Sequence, residues 1–173
     1  FVLKVPYARW KRFDVAFLAI AIILLVLVLL PGIGRRVNGS QRWISLGFMT
    51  LQVSEIAKWG SMVFFAGYLV RRRDEMRNSI WCFIKPFLVL GLIAVLLLAE
   101  PDFGATVVIG ASALSLFFLS GAPLIRFVPL LVFFLVAGGF LAVTESYRLA
   151  RLLAFLNPWH ESVMYGSGYQ LTQ

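Results

Sequence analysis

Long apolar runs separated by short charged stretches organise this chain. The runs at 15–30, 53–70, 86–99, 103–125 and 127–144 approach or reach the roughly 20 residues an α-helix needs to cross a bilayer. The run that starts at Pro86 is expected to borrow residues 80–85. The pattern therefore predicts an all-α polytopic membrane protein. Five transmembrane helices are expected at about 15–33, 53–70, 80–99, 103–122 and 127–144, in a single membrane domain. Alternating spans put loops 35–51 and 145–173 on one side of the membrane, and loops 1–14, 71–79 and 121–126 on the other.

Local signals punctuate these runs. Pro31-Gly-Ile-Gly34 halts the first helix. Segment 35–50 carries Trp43, Ile44, Leu46, Phe48 and Met49 between glycines and arginines, which predicts a short interfacial helix or a re-entrant turn. Pro101 at a helix start and Asp102 in its first turn suit a positive helix end. Thr106, Gly110, Ala111, Ser112 and Ser115 lie close together on one helix, a composition suited to tight packing in lipid. Segment 146–156 reads as an interfacial helix bearing Arg148 and Arg151.

Composition narrows the class further. With 61% hydrophobic and 14% charged residues, the 173-residue chain is too apolar for a water-soluble domain. Sixteen basic against eight acidic residues give a net charge of +8. The basic residues gather in loops, as the positive-inside rule requires, and no aromatic-basic pattern of a nucleic-acid module occurs. Lys4, Arg9, Lys11, Arg12, the arginines of 71–77 and Arg126 mark the expected cytoplasmic side. Cys82 is the lone cysteine, so no internal disulfide is expected. Beginning at Phe1 and ending at Gln173 in a polar stretch, the chain reads as an internal piece of a longer protein.

Charges inside the runs are the candidates for chemistry. A charged side chain at mid-membrane costs at least ~2.5 kcal/mol and usually faces a partner or a wet cavity. Gln52, Glu55 and Lys58, spaced by three, form one helical stripe. Glu55 and Lys58 could simply neutralise each other, or together hold a polar headgroup. Glu100 and Asp102 lie at the same outer level, as substrate contacts or as helix-capping residues. Arg36, Arg42, Arg148 and Arg151 form an outer basic set whose guanidiniums suit a diphosphate, or contact anionic lipid. In the last loop Glu161 could serve as a general base, whereas His160 beside it is too little for a metal site. No nucleophile triad, phosphate-binding glycine loop or Cys/His metal spacing occurs. Chemistry is left to carboxylates and cations at the outer face.

The motifs Val37-Asn-Gly-Ser-Gln-Arg-Trp-Ile-Ser-Leu-Gly47, Gln52-Val-Ser-Glu-Ile-Ala-Lys58, Glu100-Pro-Asp-Phe-Gly104, Asn157-Pro-Trp159 and Gly166-Ser-Gly-Tyr-Gln-Leu-Thr-Gln173 resemble the SEDS family of bacterial cell-wall proteins, most closely its cell-division branch. The resemblance covers essentially the whole chain. It implies a ten-helix fold, of which this chain would supply the third to seventh helices and the start of the large outer loop. It also implies an inverting peptidoglycan glycosyltransferase that polymerises lipid II and releases undecaprenyl diphosphate. The implied partners are a class B penicillin-binding protein (a transpeptidase) and other divisome proteins, in the cytoplasmic membrane at the division septum. In the family a catalytic aspartate, commonly followed by proline, comes after the Asn-Pro-Trp segment. Here Glu161 falls on the aspartate position, Ser162 replaces the proline, and the loop is about two residues longer. Val53 stands where the family often has proline. The resemblance assigns Glu161 as the base, with arginines, Lys58 or a bound divalent cation stabilising the departing diphosphate. A lipid II flippase and a non-catalytic scaffold that recruits a transpeptidase are the alternatives.

Overall fold

The computed structural model describes residues 7–37, 40–45, 47 and 49–144. Among them are five helices and three short strands: α1 (Tyr7–Leu29), β1 (Gly34–Val37), β2 (Ser40–Ser45), β3 (Thr50–Gln52), α2 (Val53–Asn78), α3 (Ile80–Ala99), α4 (Phe103–Leu119) and α5 (Leu124–Val143). The chain divides into two compact units, Phe1–Phe127 and Val128–Gln173. The five expected helices are present, and the protein is predominantly helical.

The segment expected as an interfacial helix or re-entrant turn is instead an antiparallel sheet in the order β1-β2-β3. In β1–β2 Val37 pairs with Ser40. The residues between them in sequence are Asn38-Gly39, the dipeptide that two-residue hairpins favour. In β2–β3 Trp43 pairs with Gln52 and Ser45 with Thr50. A second departure concerns 71–79, expected as a loop. α2 runs on through Asn78, with non-helical backbone angles at Arg72. Arg72 is ion-paired with Glu75 one turn on, so charge alone does not end the helix.

α1 packs most extensively on α2, and two glycines permit the approach. A Cβ at Gly60 would come within 2.8 Å of the backbone oxygen of Phe17, and one at Gly67 would run into the carboxylate of Asp14. That carboxylate is 2% exposed and ion-paired with Arg71, joining α1 to α2. Further along, Phe117 of α4 meets Phe65 of α2 at 6.4 Å between ring centroids, and Phe83 and Phe87 of α3 at 6.1 and 4.3 Å. Ring pairs at these separations are attractive beyond their area burial.

The buried stripe of α4 is Ala105, Ile109, Ala113 and Phe117, spaced by four. The small residues singled out for packing lie beside it, with Ala111 and Ser115 exposed. Helix ends and breaks find partners. Pro86 inside α3 cannot donate to the carbonyl four residues back, which is that of Cys82. The Tyr68 hydroxyl of α2 donates to that carbonyl at 2.7 Å. At the end of α2 the Met76 carbonyl accepts from Arg126 Nη1 at 2.9 Å. α3 and α5 are long and apolar enough to cross a membrane, with mean hydropathies of 2.6 and 2.3, and 13–29 and 103–119 are shorter apolar helices.

Candidate functional site

Several of the chemistry-bearing residues meet at one end of the first unit, and β2 brings them there. Successive strand residues project to opposite faces. Gln41 donates through Nε2 to the Leu30 carbonyl at 3.3 Å, at the end of α1. Its neighbour Arg42 reaches the turn between α3 and α4, donating from Nε to the Glu100 carbonyl at 3.1 Å and from Nη2 to the Pro101 carbonyl. Nη1 of Arg42 lies 3.6 Å from Asp102 Oδ1. β3 then continues directly into α2, so one small sheet joins the end of α1, the start of α2 and the α3–α4 turn.

Gln52 is the N-cap of α2, and its Nε2 donates to the buried Ser54 hydroxyl at 3.0 Å. Glu55 and Lys58, in the first turns of α2, form the ion pair foreseen as one of two readings, with Nζ 2.6 Å from Oε1. The Glu55 side chain is 52% exposed and that of Lys58 30%, so the pair faces outward from the bundle of this unit.

Asp102 turns out to be the N-cap of α4 rather than a first-turn residue. It accepts from the Ala105 amide at 3.2 Å through Oδ1, the role its residue type favours, and Pro101 lies outside the helix. Glu100 is completely buried. Neither carboxylate therefore stands free toward a headgroup, and Arg42 already satisfies carbonyls at the α3–α4 turn. For Asp102 this is the helix-capping reading, one of the two expected for the pair. The Glu100 carboxyl, one residue beyond α3, is pushed up to about 8 by burial first and the Asp102 charge second, with Arg42 opposing. Both Glu100 carboxyl oxygens and Asp102 Oδ2 are buried without a hydrogen-bond partner.

Arg36 pairs with Gln41 through the β1–β2 register. Arg148, Arg151 and Glu161 lie outside the described residues. Among the described residues no group of three or more His, Cys, Asp or Glu gathers to hold a metal ion, so no donor set for the divalent cation is found there. Sequence reasoning missed Tyr68 and the Asp14–Arg71 pair. Pro86, which frees a carbonyl, and Gly67, which makes room for Asp14, were the signals available for them.

A helical core with a small sheet tying three helix ends together defines the architectural class, and comparison with known proteins gives the family. A model of the family described as cell cycle protein, which takes in FtsW, RodA and SpoVE, matches residues 1–173. The chain belongs to this family, the SEDS proteins, and is FtsW-like. It is 51% identical over 172 residues to the probable peptidoglycan glycosyltransferase FtsW of Hahella chejuensis, covering 99% of this chain and 43% of that protein. It is 49% identical to the protein of the same name from Pseudomonas fluorescens, covering 99% of this chain and 42% of that protein.

Among solved structures, one described as the structural coordination of polymerization and crosslinking by a peptidoglycan synthase complex holds a chain that superposes with a TM-score of 0.71. It is 26% identical and covers 97% of this chain and 48% of that one. The rod shape determining protein RodA of Thermus thermophilus superposes with a TM-score of 0.64 at 28% identity, over 79% of this chain and 42% of that one. The chain thus spans less than half the length of the curated relatives it matches.

Proposed function

We propose that the intact protein is an inverting peptidoglycan glycosyltransferase that polymerises lipid II at the outer face of the bacterial cytoplasmic membrane during septal wall synthesis. The observation that carries this reading is identity of about half the residues, over 99% of the chain, with proteins named probable peptidoglycan glycosyltransferase FtsW. In this reading the chain is a multi-pass part of a ten-helix fold, working with a class B penicillin-binding protein and other divisome proteins.

The sugar 4-hydroxyl of an incoming lipid II attacks the anomeric carbon of the growing strand. A new glycosidic C–O bond forms, the C–O bond to the diphosphate breaks with inversion, and undecaprenyl diphosphate leaves. Glu161 takes the hydroxyl proton, a role for which a carboxylate must sit within hydrogen-bond reach of the nucleophile. Arg36, Arg148 and Arg151 are the guanidiniums proposed to meet the diphosphate, where preorganised positive charge stabilises the leaving group. Gln52, Glu55 and Lys58 line the approach at the start of α2. Arg42, Glu100 and Asp102 contribute by holding the sheet and the α3–α4 turn in register.

The test is polymerisation of labelled lipid II by the intact protein with its transpeptidase present, comparing wild type with Glu161→Gln and Glu161→Ala. Loss of a general base should slow the reaction on the order of 10²–10⁴-fold. Unchanged polymerisation would remove Glu161 from the mechanism.

A further inference from the structure

Among the described residues one cation, Arg42, reaches the two acidic residues of the α3–α4 turn, meeting the carboxylate of Asp102 and only the main-chain carbonyl of Glu100. Glu100 is 0% exposed and Asp102 6%. Three of their four carboxyl oxygens, Oε1 and Oε2 of Glu100 and Oδ2 of Asp102, are buried without a partner. Arg42 reaches this turn from β2, its Nε and Nη2 committed to the carbonyls of Glu100 and Pro101 and its Nη1 directed at Asp102 Oδ1. One guanidinium balances one carboxylate. A second ionised carboxylate here would be desolvated and, among the described residues, without a counter-charge of its own, the condition under which a buried acid takes up a proton instead.

We propose that Glu100 carries a proton at neutral pH and donates it in a hydrogen bond to Asp102 Oδ2, making the α3–α4 turn a buried proton site that governs how firmly Arg42 seats β2. One proton then removes the surplus charge and gives partners to two of the orphaned oxygens. The raised titration of Glu100, to about 8 from 4.5, agrees with the burial of these unpartnered oxygens. The charged groups that act on it are Asp102 from the cap of α4 and Arg42 from β2. When the proton leaves, the two carboxylates repel and compete for Arg42, which loosens the strand from the turn. The proposal concerns the fold of this turn and does not depend on the reaction the protein catalyses.

The sign of the linked stability follows from proton binding. Between 4.5 and about 8 the folded state holds a proton that the unfolded chain has released, so stability falls as pH rises through that window and levels off above it.

The experiment is infrared difference spectroscopy of the purified intact protein titrated across pH 8, in parallel with its melting temperature. Wild type should show a protonated-carboxyl band that disappears near pH 8 and is missing from Glu100→Gln. The melting temperature of wild type should fall through the window by more than that of Glu100→Gln. Asp102→Asn should move the band's loss to lower pH, because it removes a repelling charge. A protonated-carboxyl band at neutral pH that survives Glu100→Gln unchanged would overturn the proposal. Should Glu100→Gln fail to fold, Asp102→Asn decides: a titration that does not move downward would equally overturn it.

Discussion

Arg42 has three guanidinium nitrogens, and each is directed at the α3–α4 turn. Its planar fork can meet two carbonyls and a carboxylate at once, whereas a lysine ammonium is a single point charge on a flexible stem. Arg42→Lys keeps the charge but loses the fork. Hydrogen bonds from a charged donor are worth about 1.5–3 kcal/mol, and the side chain here is 22% exposed, so about 1–2 kcal/mol of stability should be lost. Thermal unfolding of the intact protein checks this. An unchanged melting temperature with a raised KM for lipid II would instead make Arg42 a substrate ligand. That Arg42 lies on the same side as Glu100 and Asp102 was legible from its place between the apolar runs. That Arg42 is consumed by main-chain carbonyls was not, because the partners lie 58 and 59 residues away in sequence and backbone acceptors leave no mark in residue type. The Glu55–Lys58 pair was legible, since a three-residue spacing on a helix is a local contact.

Helices were readable as elements because each needs only a long apolar run, and five runs became five helices. The sheet was not read. Its signal, Asn38-Gly39, stands in a semi-polar segment whose aromatic and apolar residues suit an interfacial helix or a re-entrant turn equally well. Partners that repair helices were equally hidden. Pro86 is visible in the sequence, but the hydroxyl that serves the carbonyl it leaves free belongs to Tyr68 on the neighbouring helix. Tyr68→Phe should therefore cost about 1 kcal/mol, the loss expected when a partly buried carbonyl gives up its hydrogen bond. Pro86→Ala restores an N–H to that carbonyl, so adding it to Tyr68→Phe should recover part of the loss. A double-mutant cycle on thermal unfolding measures the coupling. Simple additivity of the two substitutions would show that Tyr68 does not serve this carbonyl.

For the molecule as a whole, membership in the SEDS family rests on a match along residues 1–173 and on an architecture shared with RodA. The β1–β3 sheet holds the end of α1, the start of α2 and the α3–α4 turn together, and the proposed chemistry is assigned to the arginines and carboxylates of this end and of segment 145–173. The family was legible because its motifs lie at or beyond the ends of the apolar runs, where their polar and charged residues stand out in the sequence. The division of labour among the charged residues required tertiary contacts. The central claim is that the intact protein joins lipid II molecules into glycan. Purified intact protein with its transpeptidase, given fluorescent lipid II in proteoliposomes, tests it most directly. The account predicts a ladder of glycan strands with release of undecaprenyl diphosphate. Transfer of lipid II across the bilayer with no polymer formed would contradict it and favour a flippase.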